Sequence, residues 1–212
     1  MLLKRKNQVK IDPEPIYKGA EANLYRENNK LIKHRVRKKY RIPELDKKLR
    51  RRRTKREAKL LDDARRAGIK VPKVYETRRD ECKILMEFID GESLRDIILE
   101  SGEKETVELA KEIGKIIAVL HESDLIHNDL TTSNMLLYKD EIYMIDFGLG
   151  VMSKRLEDKA MDMVVLKKSL RAMYPVKFEV IWEGICAGYR NYDNYLEIFK
   201  RIETIEKRAR YL

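Results

Sequence analysis

Apolar positions change their spacing several times along this chain, and each change marks a predicted element. Leu24-Tyr25 and Leu31-Ile32 flank Asn28-Asn29, the pattern of two strands around a hairpin turn. Pro43 then opens a predicted helix running to about Ala67, with Gly68 as its C-cap. Leu45, Leu49, Leu60, Leu61 and Ala64 are its apolar positions, and Glu57 shares a face with the last three. Residues 71–75 and 82–86 read as strands around a turn from Arg78 to Glu81. Ser93 is expected to cap Leu94 to Leu99. Thr106 is expected to cap a longer helix to about Glu122, with Val107, Ala110, Ile113, Gly114, Ile117 and Leu120 on one face. Met135-Leu136-Leu137 and Ile142-Tyr143-Met144-Ile145 flank a second turn at Lys139-Asp140-Glu141. Helices follow over Glu157 to Ala172, from Pro175 onward, and over Asn194 to Ala209. The chain is α+β.

The polar residues around the second hairpin carry the chemistry. His127-Asn128-Asp129 and Asn134 precede it, and Asp146-Phe147-Gly148 follows. This reading puts the polar loop and the Asp-Phe-Gly at opposite ends of a small antiparallel ribbon, with Asn134 and Asp146 converging on one point. An Asn and an Asp offering hard oxygens suit Mg²⁺, which completes its shell with water and phosphate oxygens. Asp129 would orient an attacking oxygen. The spacing matches the kinase pattern H-x-D-x-x-x-x-N followed by D-F-G. His127 is expected to hold the loop through its ring rather than to act as a base, and His121 to be a packed or capping histidine. Upstream, Gly19-Ala20-Glu21-Ala22 is a small-residue turn whose amides could approach phosphates. Lys33 ends a strand much as the phosphate-binding lysine does. A carboxylate on the apolar face of a helix is costly unless paired; Lys33 is the expected partner of Glu57, and Arg53, one turn earlier, the alternative. Residues 87–91 resemble a kinase hinge, with Glu87 and Ile89 offering main-chain groups to adenine and Met86 at the back of the pocket; Leu136 is a further expected ATP-binding residue. Asp162 matches the kinase aspartate that binds the catalytic-loop backbone.

Composition narrows the setting. The 212 residues carry a net charge of +11, clustered at Arg35 to Arg41, Arg50 to Arg56 and Lys207 to Arg210. Such clustering points to a polyanion such as RNA. Two cysteines without ligand-like spacing fit a reducing cytoplasm. No run of about 18 apolar residues exists to span a membrane.

Taken together, Gly19-Ala20-Glu21-Ala22, Ile32-Lys33-His34-Arg35, Lys39-Tyr40-Arg41, Arg53-Thr54 with Glu57-Ala58, His127 to Asn134, and Ile145 to Gly150 resemble the small atypical kinase/ATPase of the KEOPS complex. The resemblance implies a two-lobed protein-kinase-like fold. Its N-lobe, residues 15–90, would be a small antiparallel sheet with one long helix. Its reduced helical C-lobe would be residues 91–212 with a basic tail, and 1–14 an extension or linker. The resemblance also implies ATP and Mg²⁺ as cofactors and support of threonylcarbamoyladenosine formation in tRNA. The implied partners are the catalytic KEOPS subunit, sometimes fused N-terminally, a small tRNA-binding subunit, and tRNA. Asn128 stands where the family usually has glycine, and the basic tail is short. Alternatives are a nucleotide-bound scaffold and a RIO-type ribosome-biogenesis kinase. No Ala-Pro-Glu follows Gly148, so little chain is left for a peptide-docking groove; ATP hydrolysis and autophosphorylation, for instance at Ser153, are expected over phosphorylation of generic proteins.

Overall fold

A computed structural model describes residues 14–209. The linker expected over 1–14 and the tail residues 210–212 therefore lie outside the described residues, Glu14 apart. Two compact units are present. One is the chain up to Thr54 with Val74–Phe88; the other is Lys55–Lys73 with Ile89 onward, so the division falls within one helix.

The first unit is a five-stranded antiparallel sheet. Its strands are β1 (Tyr17–Lys18), β2 (Ala22–Glu27), β3 (Lys30–Arg35), β4 (Val74–Arg78) and β5 (Lys83–Glu87), in the order β1-β2-β3-β5-β4. The hairpin at Asn28-Asn29 forms as expected, with Asn28 at φ 53. Expected to start at Val71, β4 begins at Val74 instead: Pro72 has no amide to give a ladder. Along β3, Ile32 and Lys33 are buried and face Leu85 and Ile84 across the sheet.

Helix α1 (Pro43–Arg66) ends in a Schellman motif. Gly68, at φ 89, donates its amide to Arg65 O at 3.1 Å, and Ile69 donates to Ala64 O at 3.1 Å. This is the C-cap that the sequence predicts. Thr54, Glu57, Ala58, Leu60, Leu61 and Ala64 are all buried, so the apolar face does carry Glu57.

The second unit holds α2 (Leu94–Glu100), α3 (Glu103–Glu122), α4 (Leu156–Met173), α5 (Phe178–Tyr189) and α6 (Tyr195–Ala209). Of the two expected caps, Ser93 takes the N-cap position and Thr106 does not. Ser93 precedes α2 but makes no side-chain cap bond. Thr106 sits inside α3, buried, with its hydroxyl 3.0 Å from that of Ser101. Gly102 is the N-cap, and Glu103 and Glu105 favour the earlier start through the helix dipole. The region opened by Pro175 becomes helical only at Phe178. Glycines set how α3 and α5 meet: a Cβ on Gly114 or Gly188 would collide with the backbone of Ile185 or Lys111, respectively.

Three short ladders frame the loop regions. β6 (Glu92–Ser93) pairs β8 (Met135–Tyr138), which pairs β9 (Glu141–Met144). β7 (Leu125–Ile126) pairs β10 (Val151–Met152). The β8–β9 turn is two residues long, with Lys139 at φ 51 and Asp140 at φ 60, the backbone of a type I′ turn. Met135 pairs Met144. The loop before β8 and the Asp-Phe-Gly after β9 thus share the open end of the ribbon, opposite the turn; the opposite-ends expectation is corrected by this register.

Candidate functional site

The second unit brings Asp129, Asn134 and the backbone beside Asp146 together. Thr132–Asn134 form a 3₁₀ turn, and Asn134 N–H bonds to Thr131 O at 3.1 Å. Asn134 Nδ2 donates to Asp129 O at 2.8 Å and to Asp129 Oδ2 at 3.0 Å. Asn134 O in turn accepts the Ile145 amide at 2.9 Å, next to Asp146. Asp146 is exposed, lies at φ 60, and takes the Gly148 amide on Oδ1 at 3.1 Å. Aspartate is among the few side chains that enter the left-handed region at small cost.

A hydrogen-bond network holds this loop from behind. The Asp162 carboxylate, fully buried, accepts the His127 amide on Oδ2 and the Asn128 amide on Oδ1, both at 2.7 Å. His121 lies 3.5 Å from Asp162 through Nε2 and 2.7 Å from Tyr189 Oη through Nδ1. Burial pushes the Tyr189 phenol well above its usual range, so it stays a neutral hydroxyl. His127 Nε2 sits 3.0 Å from Ile145 O, so that nitrogen carries the proton, and its ring packs on Phe147 at 4.8 Å between centroids. His127 thus ties the loop to the residue before Asp146. His121 is a packed histidine, one of the two expected readings.

Asn128 is in the left-handed region at φ 62. Its side chain donates to Leu149 O at 3.2 Å.

The remaining predicted residues are distributed as follows. In the first unit, Lys33 and Met86 are buried, and Glu87 ends β5. Ala22 is buried at the start of β2. Gly19 donates its amide to Ala22 O at 3.0 Å, so that N–H is engaged inside the turn rather than open to a phosphate. Ala20 accepts a hydrogen bond from the Lys38 ammonium. Glu21 pairs with Arg53 at 2.7 Å. Arg53 is therefore engaged with Glu21. In the second unit, Glu57 and Ile89 are buried and Leu136 is half-buried on β8. The Ser153 hydroxyl donates to Asp158 Oδ2 at 2.5 Å and accepts the Arg155 amide at 3.2 Å just ahead of α4, which argues against it as a free phosphoacceptor.

Sequence reading missed several polar residues. Asp46, fully buried, bonds Arg50 Nε at 2.7 Å and the Lys38 amide at 3.2 Å. Despite its burial, Arg50 and Lys38 hold its carboxyl below the usual range. Lys159 is buried, bonding Asp124 at 2.8 Å and Tyr192 Oη at 3.1 Å. Burial opposes its charge, yet these two partners keep its ammonium above the usual range. The one available signal was a charged residue at an apolar-face position, the same signal that singled out Glu57.

Asn134 and Asp146 fit a hard cation by donor chemistry. The Asn134 amide nitrogen is engaged by Asp129, which leaves its oxygen as the remaining ligand atom. Among the described residues no group of three or more His, Cys, Asp or Glu is placed to hold a metal. A two-residue carboxylate–amide pair suits Mg²⁺, which retains water and phosphate ligands. No helix among the described residues is long and apolar enough to cross a membrane.

Residues 16–171 match a family model described as the RIO domain. The probable bifunctional tRNA threonylcarbamoyladenosine biosynthesis protein of Methanosphaera stadtmanae is 43% identical over 199 residues, covering 92% of this chain and 36% of that protein. Its counterpart in Methanocaldococcus jannaschii is 40% identical, covering 96% and 38%. The chain thus spans little more than a third of these bifunctional relatives. The KEOPS complex subunit Bud32 of Pyrococcus abyssi is 37% identical over 209 residues, covering 92% of this chain and 95% of that protein. Among solved structures, the Rio2 kinase–ADP/Mg²⁺–phosphoaspartate complex of Chaetomium thermophilum aligns with a TM-score of 0.63 at 15% identity, covering 95% of this chain and 72% of that one. WaaP in complex with acyl carrier protein aligns at 0.66 and 11%, covering 95% and 89%. These two likenesses show the fold, which is that of the protein-kinase-like proteins.

Proposed function

The chain belongs to the RIO-domain family and within it to the Bud32 group of KEOPS subunits, and from that premise we propose that it is a Mg-ATP-dependent kinase/ATPase supporting threonylcarbamoyladenosine modification of tRNA. The observation that carries this reading is the bonding of Asn134 to Asp129 on one side and to the backbone beside Asp146 on the other. That bonding sets Asp129, Asn134 and the backbone leading into Asp146 side by side, which supports reading them as an orienting carboxylate and two hard-cation ligands.

Asp129 orients the attacking oxygen and takes its proton; Asn134 and Asp146 would hold Mg²⁺. When bound, that ion offsets charge developing on the phosphate oxygens. Asp162, through the His127 and Asn128 amides, keeps Asp129 aimed. Lys33, Glu57, Met86, Glu87, Ile89 and Leu136 keep the nucleotide-binding roles that the kinase pattern assigns them. Ala20, Glu21 and Ala22 stay candidates for the phosphate turn, with the Gly19 amide excluded. The acceptor is water or the chain itself rather than a generic protein, because only residues 149–155 separate Asp-Phe-Gly from α4. The setting is a cytoplasmic KEOPS-type assembly, with its catalytic subunit, its small tRNA-binding subunit and tRNA as partners. The exposed cations of α1, among them Lys47, Lys48, Arg52, Lys55 and Lys59, supply a surface for RNA phosphates.

Phosphate release from Mg-ATP tests this, with the purified chain alone, with tRNA, and with the catalytic subunit, beside labelled-ATP transfer to a casein-like protein. The expected result is hydrolysis stimulated by partner or tRNA with little transfer. Transfer to the external protein far faster than hydrolysis would contradict the reading.

A further inference from the structure

The β7–β10 ladder ends just before the site. Its register pairs Met152 with Leu125 and Val151 with Ile126. Continued by two positions, the same register sets Asn128 opposite Leu149. No backbone rung can form there in the usual way, because Asn128 lies at φ 62 and its amide points to Asp162 at 2.7 Å. The Asn128 side chain fills that place: Nδ2 donates to Leu149 O at 3.2 Å. Gly150, between Leu149 and β10, is packed so closely that a Cβ would lie 3.0 Å from Ile126 O and 2.9 Å from a Leu60 methyl. Leu149 is therefore held by a tight backbone on one side and by Asn128 across from it.

We propose that Asn128 is a positioning residue whose side-chain amide acts as an extra ladder rung, fixing the catalytic loop that carries Asp129 against the segment that carries Asp146. One chain neighbour of Asn128 is Asp129, and Leu149 lies three residues beyond Asp146. The rung therefore restrains both carboxylates at once. Glycine adopts this backbone at no steric cost but has no side chain to reach Leu149. Asparagine adopts it at a small cost and supplies the donor. The catalytic part of this inference rests on the proposed ATPase activity; the rung itself does not.

Two variants separate the possibilities. Asn128→Gly keeps the left-handed backbone and deletes the rung. Asn128→Asp keeps size and backbone tolerance but sets a carboxylate oxygen against the Leu149 carbonyl, replacing attraction with repulsion. Hydrogen exchange is measured on the nucleotide-free full chain at the amides of residues 148–152, and Mg²⁺-dependent phosphate release on the same samples. A solvent-exposed neutral hydrogen bond predicts about two- to fivefold faster exchange in Asn128→Gly, and more in Asn128→Asp. Turnover should fall by a similar factor, with a higher Mg²⁺ requirement and an ATP KM changed less than kcat. Unchanged exchange in both variants overturns the rung, whatever the activity. Faster exchange with unchanged kcat and Mg²⁺ dependence overturns the positioning role. If the parent itself releases no phosphate under any condition, the functional reading fails while exchange still decides the rung.

Discussion

The loop His127–Asn134 and the turn Gly19–Ala22 both attract notice as short polar motifs, and they are built in opposite ways. The loop rests on fully buried polar groups: Asp162, His121 and the His127 ring. Its amides are claimed by a carboxylate more than thirty residues further along the chain. The turn is closed by its own Gly19 amide and edged by an exposed ion pair, Glu21 with Arg53. Exposed pairs contribute about 1 kcal/mol or less, whereas an unsatisfied buried polar group costs about 1–3 kcal/mol. The loop is therefore set rigidly before any ligand arrives, and the turn is left to adjust.

Removing the support should make the loop resemble the turn. Asp162→Ala strands the His127 and Asn128 amides and the His121 ring, so stability should drop by about 3 kcal/mol or more in urea unfolding. Turnover should fall at least tenfold. Asp162→Ala with unchanged loop exchange would erase the contrast. A smaller loss is expected from Gly188→Ala, where the α3 backbone occupies the place of the new methyl; overpacking there should cost about 1–3 kcal/mol. Gly19→Ala, by comparison, meets Ala22 O and the exposed Tyr17 ring, each at 2.9 Å. The Tyr17 ring can swing aside, but Ala22 O is backbone and has to shift, so the cost should be about 1–2 kcal/mol, without loss of the second unit's stability.

The contrast also bears on what the sequence could reveal. The six fixed positions of the pattern from His127 to Gly148 were legible as a group because their types and spacing are those that a Mg-nucleotide site calls for. So were Gly68, Glu57 and the hairpins, which follow from local backbone rules. The start of α3 was not: Thr106 is a good capping type, but Glu103 and Glu105 favour an earlier start and the N-cap falls at Gly102, four residues back. The opposite-ends reading of the β8–β9 ribbon failed on geometry rather than register: an antiparallel hairpin always brings the residue before its first strand beside the residue after its second, here Asn134 and Ile145. The supports Tyr189 and His121 were invisible as a pair, since nothing local joins residues 68 positions apart.

The smallest effect expected is a pH dependence of the first unit. Burial lowers the His34 pKa, and the charges of Lys83 and Arg50 lower it further, with Glu81 acting against them. The unfolded chain therefore binds the proton more readily. The stability contribution is fully present above the ordinary histidine value of about 6.5. It is lost as pH falls below that, levelling off beneath the depressed folded value. His34→Gln should flatten the decline between about pH 6.5 and the acid side; a parallel decline in the variant would assign it to carboxylates instead.

The central claim is that the segment from Asp129 to Asp146 is a Mg-nucleotide site whose two acids do different work. Titration calorimetry with a non-hydrolysable ATP analogue, with and without Mg²⁺, tests it on the parent, Asp129→Ala and Asp146→Ala, beside phosphate release from the same samples. The account predicts Mg²⁺-dependent binding in the parent, its loss in Asp146→Ala, and its retention in Asp129→Ala with turnover down by about 10²-fold or more. Parent-like turnover in Asp129→Ala, or undiminished Mg²⁺-dependent binding in Asp146→Ala, would contradict it.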